Sequence, residues 1–272
     1  MKALQTKYFE RPEGTLAYND YGGGGELVLM LPGMGALQSE YRYLAPKLSE
    51  SGYHAVTVDL RGHGQSSVPW DTYDIPSVGN DILALMDHLN AKTAHVIGTS
   101  FSPGALVWLA VERPARIRSL VLISAFVRDA KINPIMKSLF WLMMNNPWRV
   151  QTWGMYYGSL YPTRKPPDLA DYLKELKKNM AEPGRFEAAS ALANSSRQPS
   201  AERLNRVRAP TLVIMGTRDP DFPNPAEEGE YIAQQTGGRL VLVEGAGHYP
   251  QTEMPETTTP VVIDFLKGSV SH

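Results

Sequence analysis

Ser100, Asp219 and His248 are the residues whose types and settings could do chemistry together. A serine hydroxyl is a poor nucleophile at neutral pH. It needs a base within hydrogen-bond reach, and the base needs an acidic group to fix its tautomer. Ser100 lies in His95-Val96-Ile97-Gly98-Thr99-Ser100-Phe101-Ser102-Pro103-Gly104. An apolar run enters Gly98, and a helix-compatible stretch, Ala105 to Val111, follows. That is strand, sharp turn, helix, a setting that holds a serine hydroxyl above a sheet. The fifth position of the turn is Ser102 in place of the commoner glycine, and serine is still small enough for helix and strand to approach closely.

His248 is the best base. It sits in Gly245-Ala246-Gly247-His248-Tyr249-Pro250, just after a buried apolar run. His54 and His95 begin strands and so fall at the opposite end of a sheet, His88 is on a helix, and His272 is the last residue. His63 is the runner-up, in a glycine-rich loop that reads as structural, with Arg61 and Ser66 tying down the turn. The acid should also follow a strand. Asp219 does, in Gly216-Thr217-Arg218-Asp219, with Pro220 restraining its backbone. Asp221 reads as a solvated loop carboxylate, and Asp129 is a distant third. Two backbone amides could hold an oxyanion: Phe101, at the start of the helix after the turn, and Met34, after Pro32-Gly33.

These residues need a scaffold. Leu4 to Phe9 and Thr15 to Tyr21 read as short strands joined at Pro12-Glu13-Gly14. Leu27 to Leu31 reads as a strand buried on both faces and Ala55 to Val58 as a second buried strand, with His95 to Gly98, Leu120 to Ile123, Ala209 to Gly216 and Arg239 to Val243 as further strands. Helices are expected from Ser39 to Ser51, Ile75 to Leu89, Ala105 to Glu112, Pro225 to Gln235 and Glu256 to Lys267. This alternation implies an α/β fold, a mostly parallel eight-stranded sheet with helices on both faces. Ligands gather beyond the carboxyl ends of such strands, where Met34, Ser100, Asp219 and His248 all fall.

The rhythm breaks from about residue 126 to 200. Helical stretches separated by prolines replace the strands there, which suggests a helical cap inserted between core segments 1–125 and 201–272. The insertion is rich in large soft side chains. Most should form its own core, while Phe126, Trp141, Trp153 and Tyr157 are candidates to line an apolar substrate pocket.

Composition narrows the partners. A net charge of −1 gives no field for nucleic acid. The absence of cysteine excludes disulfides and thiolate metal sites. No apolar run is long enough to span a bilayer, and the mixed stretch Met1 to Glu10 does not read as a signal peptide. A cytoplasmic monomer or homodimer without stable membrane insertion is expected.

With these motifs in place, the sequence resembles the α/β-hydrolase superfamily. The likeness is carried by Leu31-Pro32-Gly33-Met34-Gly35, Asp59 to Ser66, Gly98 to Ser102, Gly216 to Asp219 and Gly245 to Pro250, and also by Glu112 to Ile117 before the next strand. It implies the serine–histidine–aspartate triad in the chain order found here. Pro32 stands where many members carry histidine, which leaves the backbone role intact. The terminal Ser102 is similar to hydrolases related to the strigolactone and karrikin receptors. The expected function is cleavage of small to medium apolar carboxylic esters or lactones, with no metal or organic cofactor. The same machinery could serve carbon–carbon hydrolysis, perhydrolysis, peptide cleavage after proline, or slow turnover in a ligand sensor. A dehalogenase or epoxide hydrolase is disfavoured, because those usually place aspartate at the Ser100 position.

Overall fold

The computed structural model describes residues 4–129, 138, 142, 145 and 147–269. Eight strands form one sheet in the order β1-β2-β4-β3-β5-β6-β7-β8. They are β1 (Lys7–Arg11), β2 (Gly14–Asp20), β3 (Leu27–Leu31), β4 (His54–Val58), β5 (Ala94–Thr99), β6 (Ile117–Ile123), β7 (Thr211–Gly216) and β8 (Arg239–Val243). β2 runs antiparallel to β1 and β4, and every pairing from β4 to β8 is parallel.

The apolar strand runs are explained by cores on both faces. Leu29, Leu31, Val96, Leu120, Leu122, Val213 and Met215 face one cluster, with α2 (Ile75–His88) and α3 (Ser102–Glu112). Their neighbours Val28, Met30, Ile97, Val121, Ile123, Leu212 and Ile214 face the other, with α1 (Leu44–Glu50) and the helix Pro255–Gly268. Side chains alternate across a strand, so burial on both sides demands a continuous run.

Register sets where the loops emerge. Leu31 pairs with Gly98, Thr99 with Ile123, and Gly216 with Val243. The loops after β3, β5, β6, β7 and β8 therefore leave along one rim.

Among the differences from the sequence reading, β1 spans Lys7–Arg11 in place of Leu4 to Phe9, β6 begins at Ile117 in place of Leu120, and two others bear on the rim. The helix expected over Ser39 to Ser51 divides into a 3-10 turn, Gln38–Tyr41, and α1. Pro46 explains the break: it has no N–H to give to Arg42, and its ring crowds that carbonyl, so it is tolerated only in the first turn of a helix. α3 also begins at Ser102, three residues earlier than expected, directly behind the turn that carries Ser100.

Between β6 and β7 the described elements are helices: Arg149–Ser159, Leu169–Met180, Arg185–Asn194 and the short Gln198–Ala201. They fasten onto the rim loops. Asp168 accepts two hydrogen bonds from Arg42, at 2.6 and 2.7 Å. Asn179 exchanges hydrogen bonds with the backbone of Gly64, at 2.7 and 3.1 Å. The Leu160 carbonyl accepts from the His248 amide at 3.0 Å. No helix among the described residues is long and apolar enough to cross a membrane.

Gly98 is a point of close approach. A Cβ there would lie 2.9 Å from Leu106 Cδ1 and 3.0 Å from the Pro103 nitrogen. Gly98→Ala should therefore destabilise the fold by about 1–3 kcal/mol through overpacking. Thermal unfolding beside the parent protein measures this, and an unchanged Tm would refute it.

Candidate active site

Ser100 follows the last residue of β5 and holds φ at +62°. A non-glycine residue in this left-handed region costs about 1–3 kcal/mol and persists only where its surroundings fix it. Two backbone hydrogen bonds of 2.9 Å do so: the Ser100 amide donates to the Ile123 carbonyl, and the Ser100 carbonyl accepts from the Phe126 amide. Gly33, from the loop after β3, packs against the serine. A Cβ on Gly33 would lie 3.0 Å from Ser100 Cβ and 3.6 Å from its Oγ. Ser102 has a role that its small size did not reveal. Its hydroxyl donates to the Pro32 carbonyl at 2.5 Å, tying the start of α3 to the loop that carries Gly33 and Met34.

His248 leaves the loop after β8 and is buried. Its Nδ1 lies 2.8 Å from Asp219 Oδ2, on the loop after β7. Nδ1–H therefore donates to the carboxylate, and Nε2 is the ring nitrogen left to act as a base. Asp221 is not the solvated carboxylate expected from the sequence. It is largely buried, accepts from Tyr156 Oη at 2.7 Å through both oxygens, and lies 3.6 Å from His248 Nδ1. The dipeptide step from Asp219 folds back because the Asp221 amide donates to Asp219 Oδ1 at 3.0 Å. Burial opposes the charged imidazole, but the charges of Asp219, Asp221 and Glu40 outweigh it and push His248 up to about 9. Burial raises the Asp221 carboxyl, against the pull of His248.

Phe126 neighbours both Ser100 and His248. The Phe126 amide binds the serine carbonyl, and its ring centroid lies 5.9 Å from that of His248. The hydrogen bonds of the described residues do not include one between Ser100 Oγ and His248 Nε2. Such bonds are often long without substrate and tighten when it binds. Met34 and Phe101 flank the serine from the two loops, and among the described residues their amides donate to no protein acceptor. The neighbouring Gly33 amide is committed to Glu40 Oε2 at 3.2 Å.

Of the four pocket candidates, Phe126 is partly exposed and stacks on Phe222 with centroids 4.6 Å apart, beside the histidine. Trp153 and Tyr157 are buried in the packing between the inserted helices and the rim. Trp153 Nε1 donates to the Gly35 carbonyl at 2.9 Å, and Tyr157 stacks on Tyr249 at 4.8 Å. Trp141 lies outside the described residues. His63 is buried, with Nδ1 2.9 Å from the Arg61 carbonyl, and burial lowers it to about 4. Arg61 is itself paired with Asp81 and Ser66 donates to the Asp59 carbonyl, so this loop is tied down as its sequence suggested.

One group of possible metal ligands occurs among the described residues: Asp219, Asp221 and His248, with ligand atoms within 4.8 Å of one another. The short Asp219–His248 hydrogen bond and the Tyr156–Asp221 pair already engage these atoms, which suits an acid–base relay better than a cation site. A second serine–histidine–carboxylate chain lies at the opposite end of the sheet. Ser119 Oγ is 2.7 Å from His95 Nδ1, and His95 Nε2 is 3.0 Å from Glu26 Oε2. Ser119 and His95 are fully buried, so no substrate could reach that hydroxyl.

Comparison with known proteins bears on the fold and its family. The family model described as alpha/beta hydrolase fold matches residues 26–255. The chain is 26% identical over 231 residues to 3-oxoadipate enol-lactonase 2 of Acinetobacter baylyi, covering 79% of each chain. It is 29% identical to a 2-hydroxy-6-oxononadienedioate/2-hydroxy-6-oxononatrienedioate hydrolase of Pseudomonas putida, covering 93% of this chain and 91% of the relative. Among solved structures, a hydrolase from Pseudomonas aeruginosa superposes with a TM-score of 0.78 at 26% identity, covering 96% of this chain and 98% of the other. With its sheet order, its rim of loops and a family match over most of its length, the chain belongs to the alpha/beta hydrolase fold family.

Proposed function

We propose that the protein is a serine hydrolase of small to medium apolar carboxylic esters or lactones. The observation that carries this reading is the buried 2.8 Å contact of His248 Nδ1 with Asp219, at the rim where Ser100 holds its left-handed turn. The enol-lactonase relative supports hydrolysis of a lactone or ester in general.

In the proposed cycle, Ser100 Oγ attacks the substrate carbonyl carbon and His248 Nε2 takes the hydroxyl proton. Asp219 fixes the imidazole and stabilises its charged form. The Met34 and Phe101 amides bind the oxyanion, each such donor typically lowering the barrier by about 3 kcal/mol. The tetrahedral intermediate collapses, the leaving oxygen receives the proton from His248, and an acyl group remains on Ser100. Water then attacks the acyl carbon as His248 takes its proton. Collapse releases the acid and returns the proton to Ser100. In a lactone both products leave as one hydroxy acid. The helices between β6 and β7 act as a cap, with Phe126 and Phe222 forming an apolar wall beside His248.

A fluorophosphonate probe should label Ser100. Ser100→Ala should lower kcat/KM on p-nitrophenyl butyrate by about 10⁴-fold or more, and sustained turnover by that variant would refute the assignment.

The base must be neutral to act, so kcat/KM should rise with pH through the His248 titration, near 9. The same upward shift means that attraction between charged His248 and its carboxylates stabilises the fold below the ordinary value of 6.5 and is lost as pH rises through about 9. Asp221→Asn removes one negative neighbour and should move the rising limb to lower pH. A pH–rate profile of that variant superimposable on the parent would show that Asp221 does not act on the base.

A further inference from the structure

Glu40 is a buried acid that the proposed chemistry does not use. It lies in the 3-10 turn Gln38–Tyr41, after the Pro32-Gly33-Met34 loop. Its side chain joins two segments directly and a third through Gln251. Oε2 accepts from the Gly33 amide at 3.2 Å, and Gly33 precedes the oxyanion donor Met34. Oε1 accepts from Gln251 Nε2 at 2.5 Å, and Gln251 lies three residues beyond His248. Gln251 Nε2 also reaches Thr99 Oγ1 at 3.2 Å, and Thr99 precedes Ser100. The backbone carbonyl of Glu40 accepts from Thr252 Oγ1 at 3.0 Å, a second tie to the histidine segment.

We propose that Glu40 is a positioning residue whose carboxylate holds the oxyanion loop and the histidine segment in mutual register, with the serine turn joined to them through Gln251. The proposal rests on the serine-hydrolase reading above. An ionised acceptor forms stronger hydrogen bonds than a neutral one, roughly twice as strong. Holding the Gly33 amide in this way fixes the peptide that immediately precedes the one carrying the Met34 amide. The carboxylate lies near enough to His248 to favour the charged imidazole, and the imidazole in turn favours the carboxylate. The other titratable groups that face it are Tyr41 on its own turn, Tyr157, Tyr161 and Tyr172 from the inserted helices, and Tyr249 beside His248. Burial raises Glu40 to about 7, so its charge changes close to neutral pH. Protonation of Glu40 weakens the hold on Gly33 and removes a negative neighbour of the base.

The test is Glu40→Gln, which keeps the shape and an acceptor but deletes the charge. At pH 8, kcat on p-nitrophenyl butyrate should fall about tenfold, a part of the about 10²–10³-fold cost of losing an oxyanion donor outright. KM should stay within about twofold, as for an interaction made in the transition state. Affinity for n-butylboronic acid, whose tetrahedral adduct with the serine places an oxygen in the oxyanion site, should fall with kcat. The rising limb of the pH profile should move to lower pH. A purely structural residue would lower Tm without moving the boronate affinity or the limb. A folded Glu40→Gln with parental kcat, boronate affinity and pH limb overturns the proposal. Should that variant not fold, Gln251→Met removes one donor from the same carboxylate and should lower kcat about threefold at constant KM. Parental kcat in Gln251→Met then overturns it. Sustained turnover by Ser100→Ala would instead defeat the underlying reading. A dead Ser100→Ala beside an unaltered Glu40→Gln defeats this inference alone.

Discussion

The left-handed backbone of Ser100, wedged between Gly33 and the carbonyl of Ile123, is the constraint from which the rest of the site follows. A β-strand that ran straight on would bury the hydroxyl in the sheet. The reversal lifts it to the rim, and the reversal survives because neighbouring strands supply the hydrogen bonds and glycines vacate the space. Gly98 lets α3 fold back at once, and Gly33 lets the loop after β3 lie against the serine. The histidine and the aspartate reach the same rim because β6, β7 and β8 end in register with β5.

Much of this could be read from the residues. Strands announce themselves as short apolar runs, so Leu27–Leu31 and Arg239–Val243 were located to the residue, although only the first is buried on both faces and the second, at the sheet edge, is largely exposed or half-buried. The loops with Ser100, Asp219 and His248 were legible because each follows such a run, and strand ends on one side of a parallel sheet have nowhere else to meet. What stayed hidden depends on contacts between distant segments. Asp221 looks like any loop acid until Tyr156, 65 residues earlier, arrives to cover it. Ser102 looks like a tolerated substitute for glycine, while its hydroxyl bridges to Pro32, 70 residues earlier. Glu40 carries no periodic signal at all. The division of Ser39–Ser51 into two pieces was legible in principle from Pro46, whose missing N–H forbids a continuous helix.

The two ends of the sheet offer an internal contrast. At one, Ser119, His95 and Glu26 form a hydrogen-bonded chain that ties strands together, with Arg118 neutralising the outer carboxylate at 2.7 Å. At the other, His248 keeps a nitrogen free for a serine at a crowded but accessible turn. Residue types are nearly the same, but the hydrogen bonding differs: the buried serine holds Nδ1 of His95, whereas the carboxylate of Asp219 holds Nδ1 of His248. Backbone conformation and access separate the two serines: Ser119 is fully buried within a strand, while Ser100 stands at the rim in a left-handed turn.

The Tyr156–Asp221 pair constrains how this protein can be rebuilt. The phenol belongs to the insertion and the carboxylate to the sheet scaffold, yet neither is satisfied without the other. A chimera that exchanged the insertion for a relative's would inherit a largely buried acid stripped of its donor, at a cost of about 1–3 kcal/mol or more. Grafts between members of this fold should therefore travel with their docking residues, and drift at position 156 is bound to drift at position 221.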